Sequence, residues 1–390
     1  MDWATKGLWL ATPAEAMGRK LFDGAFTWPA MVIRRSAVEA NIATMAAYCA
    51  RHGLEHAPHG KTTMAPTLFQ AQLDAGAWGI TVATANQALV ARRLGIARVL
   101  LANELLDAKV LRWAAEEAAQ GWEFLCYVDS PAGVEVAQAA LAGTDLRLRV
   151  LVELGFMGGR TGCRSVGDAV AVARAAQSAP NLDVAGVSGF EGMLPSRAAV
   201  AVFLASMVEA GRAIQPLCAE RPILSAGGSA HFDAIADILG SAAREHDWRV
   251  ILRSGSYVTH DHGVYADTTP FIRVPAEGKL TAALEVWAQV LSTPEPGLAL
   301  IGAGKRDVPI DEGMPIVLGV RGHGGAYRQL PDATIERTND QHAYLFGADL
   351  TPGELVRLGI SHPCTAFDKW RVIPVLDDDD RVVDLLDTYF

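Results

Sequence analysis

The chain has no run of lysine and arginine, and its 34 basic residues are outnumbered by 44 acidic ones, for a formal charge of -10. That balance excludes a nucleic-acid surface, which needs concentrated positive charge. Long apolar runs are also missing: charges break the longest ones within about ten residues, too short to span a bilayer. The opening MDWATKGLWLATPAEAMGRK carries acid early and lacks a clean apolar stretch before a small-residue cleavage site, so the chain reads as cytoplasmic. Cysteine is scarce. Five residues, an odd number without Cys-x-x-Cys spacing, exclude a disulfide framework in a chain this large. Cys49, Cys126, Cys163 and Cys218 lie in apolar or helical settings and read as small buried hydrophobes. No Gly-x-Gly-x-x-Gly turn follows an early strand, which argues against a doubly wound dinucleotide-binding sheet.

Half of the 390 residues are hydrophobic and a fifth are charged, enough for a large core and against disorder. From Trp28 onward one pattern repeats: a short run of Val, Ile and Leu, a turn, then an alanine-rich amphipathic stretch. Continuous apolar strands alternating with helices of about 10–15 residues give a parallel sheet covered by helices. After the opening unit AMVIRRSAVEANIATMAAYCARHG, eight candidate strands lie near Leu54–His59, Gly79–Ala83, Arg98–Ala102, Glu123–Val128, Leu146–Glu153, Val184–Phe190, Pro222–Ser225 and Val250–Arg253. Eight such units in about 200–250 residues match a (β/α)8 TIM-type barrel. Beyond about Pro270, short strands separated by Gly, Pro and Asp predict an antiparallel β domain. The expected division is therefore 28–265 for the barrel, with 1–27 and 266–390 in the β domain.

Functional groups of such barrels belong at the C-terminal ends of strands. SAGGSAHFD follows candidate strand seven and RSGSYVTHDHG follows strand eight. Gly227, Gly228 and Ser229, with Gly255 and Ser256 at the adjacent strand end, offer backbone N–H groups and hydroxyls suited to a phosphate. Two ordinary turns are the bland alternative. Lys61, in HAPHGKTTMAP, falls at the end of strand one. A rim lysine together with a phosphate cradle fits an aldehyde cofactor bearing a phosphate, pyridoxal 5'-phosphate (PLP). Arg160, after strand five, is a surface charge or a donor to the cofactor's phenolate. His59 either flanks the ring or fills a strand end. His362 and Cys364 sit two apart in ISHPCTAFDKW, so an extended strand would point both to one face; imidazole plus thiolate favours zinc or another divalent metal. The run LDDDDR (Leu376–Arg381) reads as a solvated turn, and His260, Asp261 and His262 stay unassigned.

Taken together, PHGKTTMAP, SAGGSAHFD, RSGSYV and GISHPCTAFDKWRVIPVLDDDDRVVD resemble, in order and over nearly the whole chain, the fold-type III (alanine-racemase-like) PLP enzymes, in the branch of D-serine dehydratase and D-threonine aldolase. The resemblance implies that Lys61 holds PLP and acts as base at Cα. It implies that Gly227, Gly228, Gly255, Ser256 and Tyr257 surround the phosphate, that Arg160 approaches the ring, and that His362 and Cys364 bind the metal. Two positions depart from the family pattern. Lys61 is followed by Thr62 and Thr63 where Lys-Thr-His or Lys-Ala-His is more usual, and Phe190 stands where tyrosine is frequent.

The implied activity is dehydration of a D-3-hydroxy amino acid such as D-serine, D-threonine or D-phenylserine to a 2-oxo acid and ammonia. Aldol cleavage to glycine and an aldehyde is the alternative. In the family, His-x-Cys goes with dehydratases and His-x-Asp more often with aldolases, which favours the first. An amino-acid racemase and a non-catalytic PLP-binding protein are the remaining readings. The resemblance further implies a homodimer acting on a small D-amino acid.

Overall fold

The computed structural model describes residues 5–10 and 12–390. The chain divides into two compact units: residues 45–61 with 72–255, and residues 1–44 with 62–71 and 256–390. Residues 28–44 and 256–265, assigned to the barrel segment by the sequence pattern, thus group with the β strands.

In the first unit eight parallel strands run in one sheet, Glu55–His56, Ile80–Val82, Arg98–Glu104, Glu123–Val128, Leu148–Leu154, Leu182–Gly189, Ile223–Ala226 and Arg249–Leu252. Neighbours pair in sequence order, and Glu55–His56 pairs with Arg249–Leu252. The two remaining edges meet: His59 bridges Thr81, and the Trp78 and Thr81 N–H groups donate to His56 and Pro58 carbonyls at 2.7 and 2.9 Å. The sheet therefore curls into the predicted barrel. The middles of its longer strands are apolar because both faces are covered, with charged residues confined mostly to the strand ends. Inside, Leu100, Leu125, Leu151, Ile223 and Ile251, one from each of five strands, pack with Tyr127 and Ala185. Such a layer makes the barrel a packed core with chemistry left to its rim.

The helices between strands start where the sequence supplies a cap. Thr84, Asp107, Ser130, Ser165 and Ser196 each accept a backbone N–H of the first turn, each contributing about 1 kcal/mol. The helix Arg197–Ile214, with the 3-10 turn to Leu217, is long and apolar enough by length and composition to cross a membrane. Its Val200, Phe203, Leu204, Met207 and Ile214 are buried.

The second unit is a ten-stranded sheet. Its main path runs Tyr327–Gln329, Ile316–Arg321, Leu355–Gly359, Leu284–Glu295, Ala30–Arg34, Val372–Leu376, Val382–Asp387. The far half of Leu284–Glu295 departs from this path to pair with Leu298–Ile301, which continues into Ala343–Phe346 and Thr334–Thr338. One pairing, Ala30–Arg34 with Val372–Leu376, is parallel, so the sheet is mixed where an antiparallel one was expected. The cause is the strand at 30–34: its apolar run leads into a helix and reads as a barrel unit, yet it inserts between two strands from the far end of the chain. Leu8, Leu21 and Phe26 of the N-terminal segment share a core with Val32, Trp287, Leu376 and Val382.

Glu285, 1% exposed, anchors this sheet. Arg34 donates to both its oxygens, at 2.7 and 2.9 Å, Arg357 donates to Oε1, and the Trp287 indole donates to Oε2 at 3.1 Å. Arg34 also reaches Asp380 at 2.6 Å, so one member of the acidic run expected to be a solvated turn is a structural ion-pair partner.

Candidate active site

In the barrel unit the first strand, Glu55–His56, is followed by an isolated bridge at His59, and the chain then enters a 3-10 turn, Gly60–Thr62, that carries Lys61. His59 is held well below the usual histidine range. Burial is the main cause, and the positive charges of Lys61, Arg253 and Arg160 add to it. Three cations thus act on one neutral imidazole. Neither Arg160 nor Arg253 forms an ion pair with a carboxylate among the described residues. Carboxylates stand among them: Glu153 and Glu104 act on Tyr127 alongside Arg253.

Arg253 was not anticipated from the sequence. It ends the last barrel strand, is 3% exposed, and donates to Ser188 Oγ (3.1 Å), Ser225 Oγ (2.7 Å) and the Gly189 carbonyl (2.7 Å). An arginine closing an apolar parallel strand was the available signal. Arg160 lies on the loop after Leu148–Leu154, its guanidinium 4.5 Å over the ring of Phe190. The phenylalanine that departs from the family pattern is thus an apolar platform for Arg160.

Gly255 approaches the first strand so closely that a Cβ would lie 2.4 Å from the His59 carbonyl oxygen. Only glycine fits there. Its neighbour Ser254 donates through Oγ to the Gly228 carbonyl at 2.9 Å, tying the two glycine turns together. The N–H groups of Gly227 and Gly228, however, are already engaged. They donate to Glu191 Oε2 and Oε1 at 3.2 and 2.6 Å. Glu191 is fully buried, and neither its role nor that of Arg253 was anticipated. The turn thus receives an oxyanion, as expected of a phosphate cradle, but the oxyanion belongs to the chain itself.

Two further carboxyls stand at strand ends. Burial, then the charge of Glu153, pushes Glu104 up to about 8. Glu104 therefore keeps its proton at neutral pH, because ionising it beside the buried Glu153 would place two negative charges together away from water.

The second unit holds the other predicted residues. Ser256 and Tyr257 are buried in a 3-10 turn. His362 and Cys364 are not on a strand: Pro363 opens a 3-10 turn, Pro363–Thr365, and the turn rather than strand alternation brings the two side chains together. Cys364 Sγ lies 3.5 Å from Ser256 Oγ and 3.6 Å from Thr62 Oγ1. Burial pushes the thiols of Cys49, Cys126 and Cys163 up to about 12 and that of Cys218 to about 11. Cys364 alone moves down: burial opposes its ionisation, but His362, Ser256 and Thr62 outweigh it. His362 rises to about 9, with burial opposing and Cys364 and Asp311 prevailing. Asp311 Oδ2 lies 2.8 Å from His362 Nδ1 and so fixes the ring, leaving Nε2 for another partner.

A thiol biased towards thiolate beside an oriented imidazole is the donor set of a borderline-soft divalent metal. Among the described residues no cluster of three or more His, Cys, Asp and Glu has ligating geometry, so a metal here would have two protein ligands and open positions. The unassigned Asp261 is an organiser: its Oδ1 accepts the N–H groups of Gly263, Tyr265 and Ala266 at 2.9–3.1 Å, and the Tyr265 ring packs 5.7 Å from that of His362.

A barrel with a lysine after its first strand, coupled in one chain to a mixed β sheet, defines the alanine-racemase-like fold. Residues 33–244, more than half of the chain, match the family "Alanine racemase, N-terminal domain", and residues 283–376 match "Putative serine dehydratase domain". The chain belongs to this alanine-racemase-like family. It is 27% identical to the 3-hydroxy-D-aspartate aldolase of Paracoccus denitrificans (strain Pd 1222) over 304 residues, 75% of each chain. The D-threonine aldolase structure from Filomicrobium marinum superposes with a TM-score of 0.79 at 24% identity, covering 93% of this chain and 95% of that one. The D-threo-3-hydroxyaspartate dehydratase from Delftia sp. HT23 gives 0.73 at 23% identity, covering 93% and 97%.

Proposed function

We propose that the protein is a PLP- and zinc-dependent lyase of D-3-hydroxy amino acids that removes water to give a 2-oxo acid and ammonia. Family membership supports PLP, and the relatives, aldolases and a dehydratase of D-3-hydroxy amino acids, support the substrate class. The positive charges of Lys61, Arg253 and Arg160 converging on His59 fit a phosphate-bearing cofactor. Lys61 would hold its aldehyde, and Arg160 and Arg253 would offset its negative charge. When bound, PLP supplies an electron sink that makes the Cα proton of the substrate removable.

Lys61 Nζ takes that proton. His362 and Cys364 would hold the zinc, which when bound supplies Lewis acidity at the β-hydroxyl, worth several kcal/mol. One observation favours dehydration. Asp311, the carboxylate beside the pair, commits Oδ2 to His362 and Oδ1 to Thr365 at 3.1 Å. Asp311 thus serves to orient His362, and the His-x-Cys pair it orients is the pattern that the resemblance associates with dehydratases. The similarity to aldolases keeps aldol cleavage as the second reading. The expected homodimer belongs to the same proposal, and sedimentation velocity tests it.

The deciding experiment incubates purified protein with PLP, zinc and D-threonine and identifies the products by mass spectrometry. 2-Oxobutyrate with ammonia supports the dehydratase. Glycine with acetaldehyde makes it an aldolase, L-threonine or its epimer a racemase, and unchanged substrate at saturating cofactor a binding protein.

A further inference from the structure

We propose that Glu191 is a positioning residue for the cofactor's phosphate: by accepting both the Gly227 and Gly228 N–H groups it sets the shape of the turn, and the phosphate is received by the groups that follow, Ser229 first. The inference rests on the PLP reading and refines where the phosphate sits.

Each part of the turn is explained by Glu191 and the strands around it, without a phosphate at the two glycines. The Glu191 carboxylate is fully buried and bridges the two amides, 3.2 and 2.6 Å away. Gly227 has φ +129°, a conformation that side chains rarely adopt, and a Cβ there would come within 2.7 Å of Leu252 and 3.0 Å of the Arg253 nitrogen. At Gly228 a Cβ would lie 3.3 Å from the Phe190 ring and 3.4 Å from Glu191 Oε1. Gly227 is thus required by the chain's own packing, whereas a side chain at Gly228 would need the Phe190 ring to give by a few tenths of an ångström. From the other side Ser254 Oγ holds the Gly228 carbonyl, and the Ser254 carbonyl lies 2.9 Å from His56 Nε2.

A phosphate dianion sharing those two amides would lie against a buried carboxylate, a like-charge contact that is costly out of water. The two anions therefore take successive parts of one loop: Glu191 the start, the phosphate what comes after. Ser229 is 9% exposed and lies just past the clamped amides.

The test compares the cofactor-free full-length wild type with Glu191→Gln and Ser254→Ala, titrating each with PLP and with pyridoxal, which lacks the phosphate. Binding is read from cofactor absorbance and tryptophan quenching, with circular dichroism as the folding control. Glutamine keeps the shape but turns one donor towards an amide donor. The expected result is a PLP dissociation constant raised about tenfold, as for loss of one charge-assisted hydrogen bond. Pyridoxal binding should stay within about twofold, because ring contacts are untouched. Ser254→Ala should shift the same selectivity in the same direction, and it decides alone if Glu191→Gln does not fold. Equal weakening of both ligands, or no weakening, overturns the proposal. Tighter PLP binding in Glu191→Gln also overturns it, since Glu191 would then be a competitor of the phosphate. A wild type that binds PLP no better than pyridoxal refutes the cofactor reading instead.

Discussion

Replacing Glu285 by glutamine tests the account of the mixed sheet. The side chain keeps its volume, so the Trp287 contact and the strand packing survive, but two guanidiniums lose their shared anion. Arg34 retains Asp380, whereas Arg357 has no second carboxylate among its described partners. The arginine side chains are 18% and 30% exposed, so water restores only part of the loss. Breaking a buried pair from one side costs about 3–5 kcal/mol, and the partial exposure and the Asp380 contact place this case near 3 kcal/mol. At a urea dependence of about 2 kcal/mol per molar, the unfolding midpoint of this unit should fall by about 1.5 M. The effect has a definite pH signature. Burial raises the Glu285 carboxyl, but Arg34 and Arg357 outweigh it and leave it below its ordinary value of 4.5. A carboxyl depressed in the folded state contributes stability above the unfolded value and loses it as pH falls through the folded one. The gap between wild type and variant should therefore be full at neutral pH and narrow as the pH is lowered below about 4.5. A loss under about 1 kcal/mol at pH 7, or one that does not narrow in acid, would show that Glu285 does not hold the two arginines as an ionised partner.

The opposite sign is expected at Glu104. Its folded pKa of about 8 lies above the ordinary 4.5, so stability falls as pH rises between those values; Glu104→Gln should melt a few degrees above wild type at pH 9 and converge with it in acid, by differential scanning calorimetry. Leu151→Ala, in the packed layer inside the barrel, should cost about 2–5 kcal/mol in guanidinium unfolding, with no change in the near-neutral pH profile. Cys364→Ser should reduce bound zinc from about one per chain to a small fraction, measured by atomic absorption after dialysis, while PLP absorbance is retained. Loss of both together would contradict the assignment of metal and cofactor to different residues.

The barrel was legible because each of its strands is buried on both faces, so a run such as EFLCYV or LRVLVEL carries no alternation to confuse with a helix. The first strand was overestimated: only Glu55–His56 forms a regular strand, although the Ala57 and His59 N–H groups still donate to the Leu252 and Arg253 carbonyls at 2.8 and 3.2 Å. The strand at Ala30–Arg34 was legible as a strand, but its partners lie about 250 and 340 residues away, and no local pattern encodes them. The site divides in the same way. Lys61 and Gly255 announce themselves by position at strand ends, whereas Glu191, Arg253 and Asp311 matter through hydrogen bonds to residues distant in sequence. Buried polar partners of this kind are specified by the folded geometry, and a single sequence shows only that a charge follows an apolar run.

The chain passes between its two compact units four times, after Thr44, Lys61 and Ala71 and for the last time after Gly255. Those crossings have a genetic consequence. Everything from Ser256 to the end lies in one unit, so a single recombination event near codon 255 would transfer Ser256, Tyr257, His362 and Cys364 as a linked cassette. Lys61, His59, Arg160 and Glu191 would stay with the recipient. Among homologous genes, the residues proposed for the metal can therefore be inherited separately from Lys61, Arg160 and Glu191, with Ser256 and Tyr257 travelling beside the metal pair, and a chimera joined at that codon would exchange that cassette without rewriting the lysine segment.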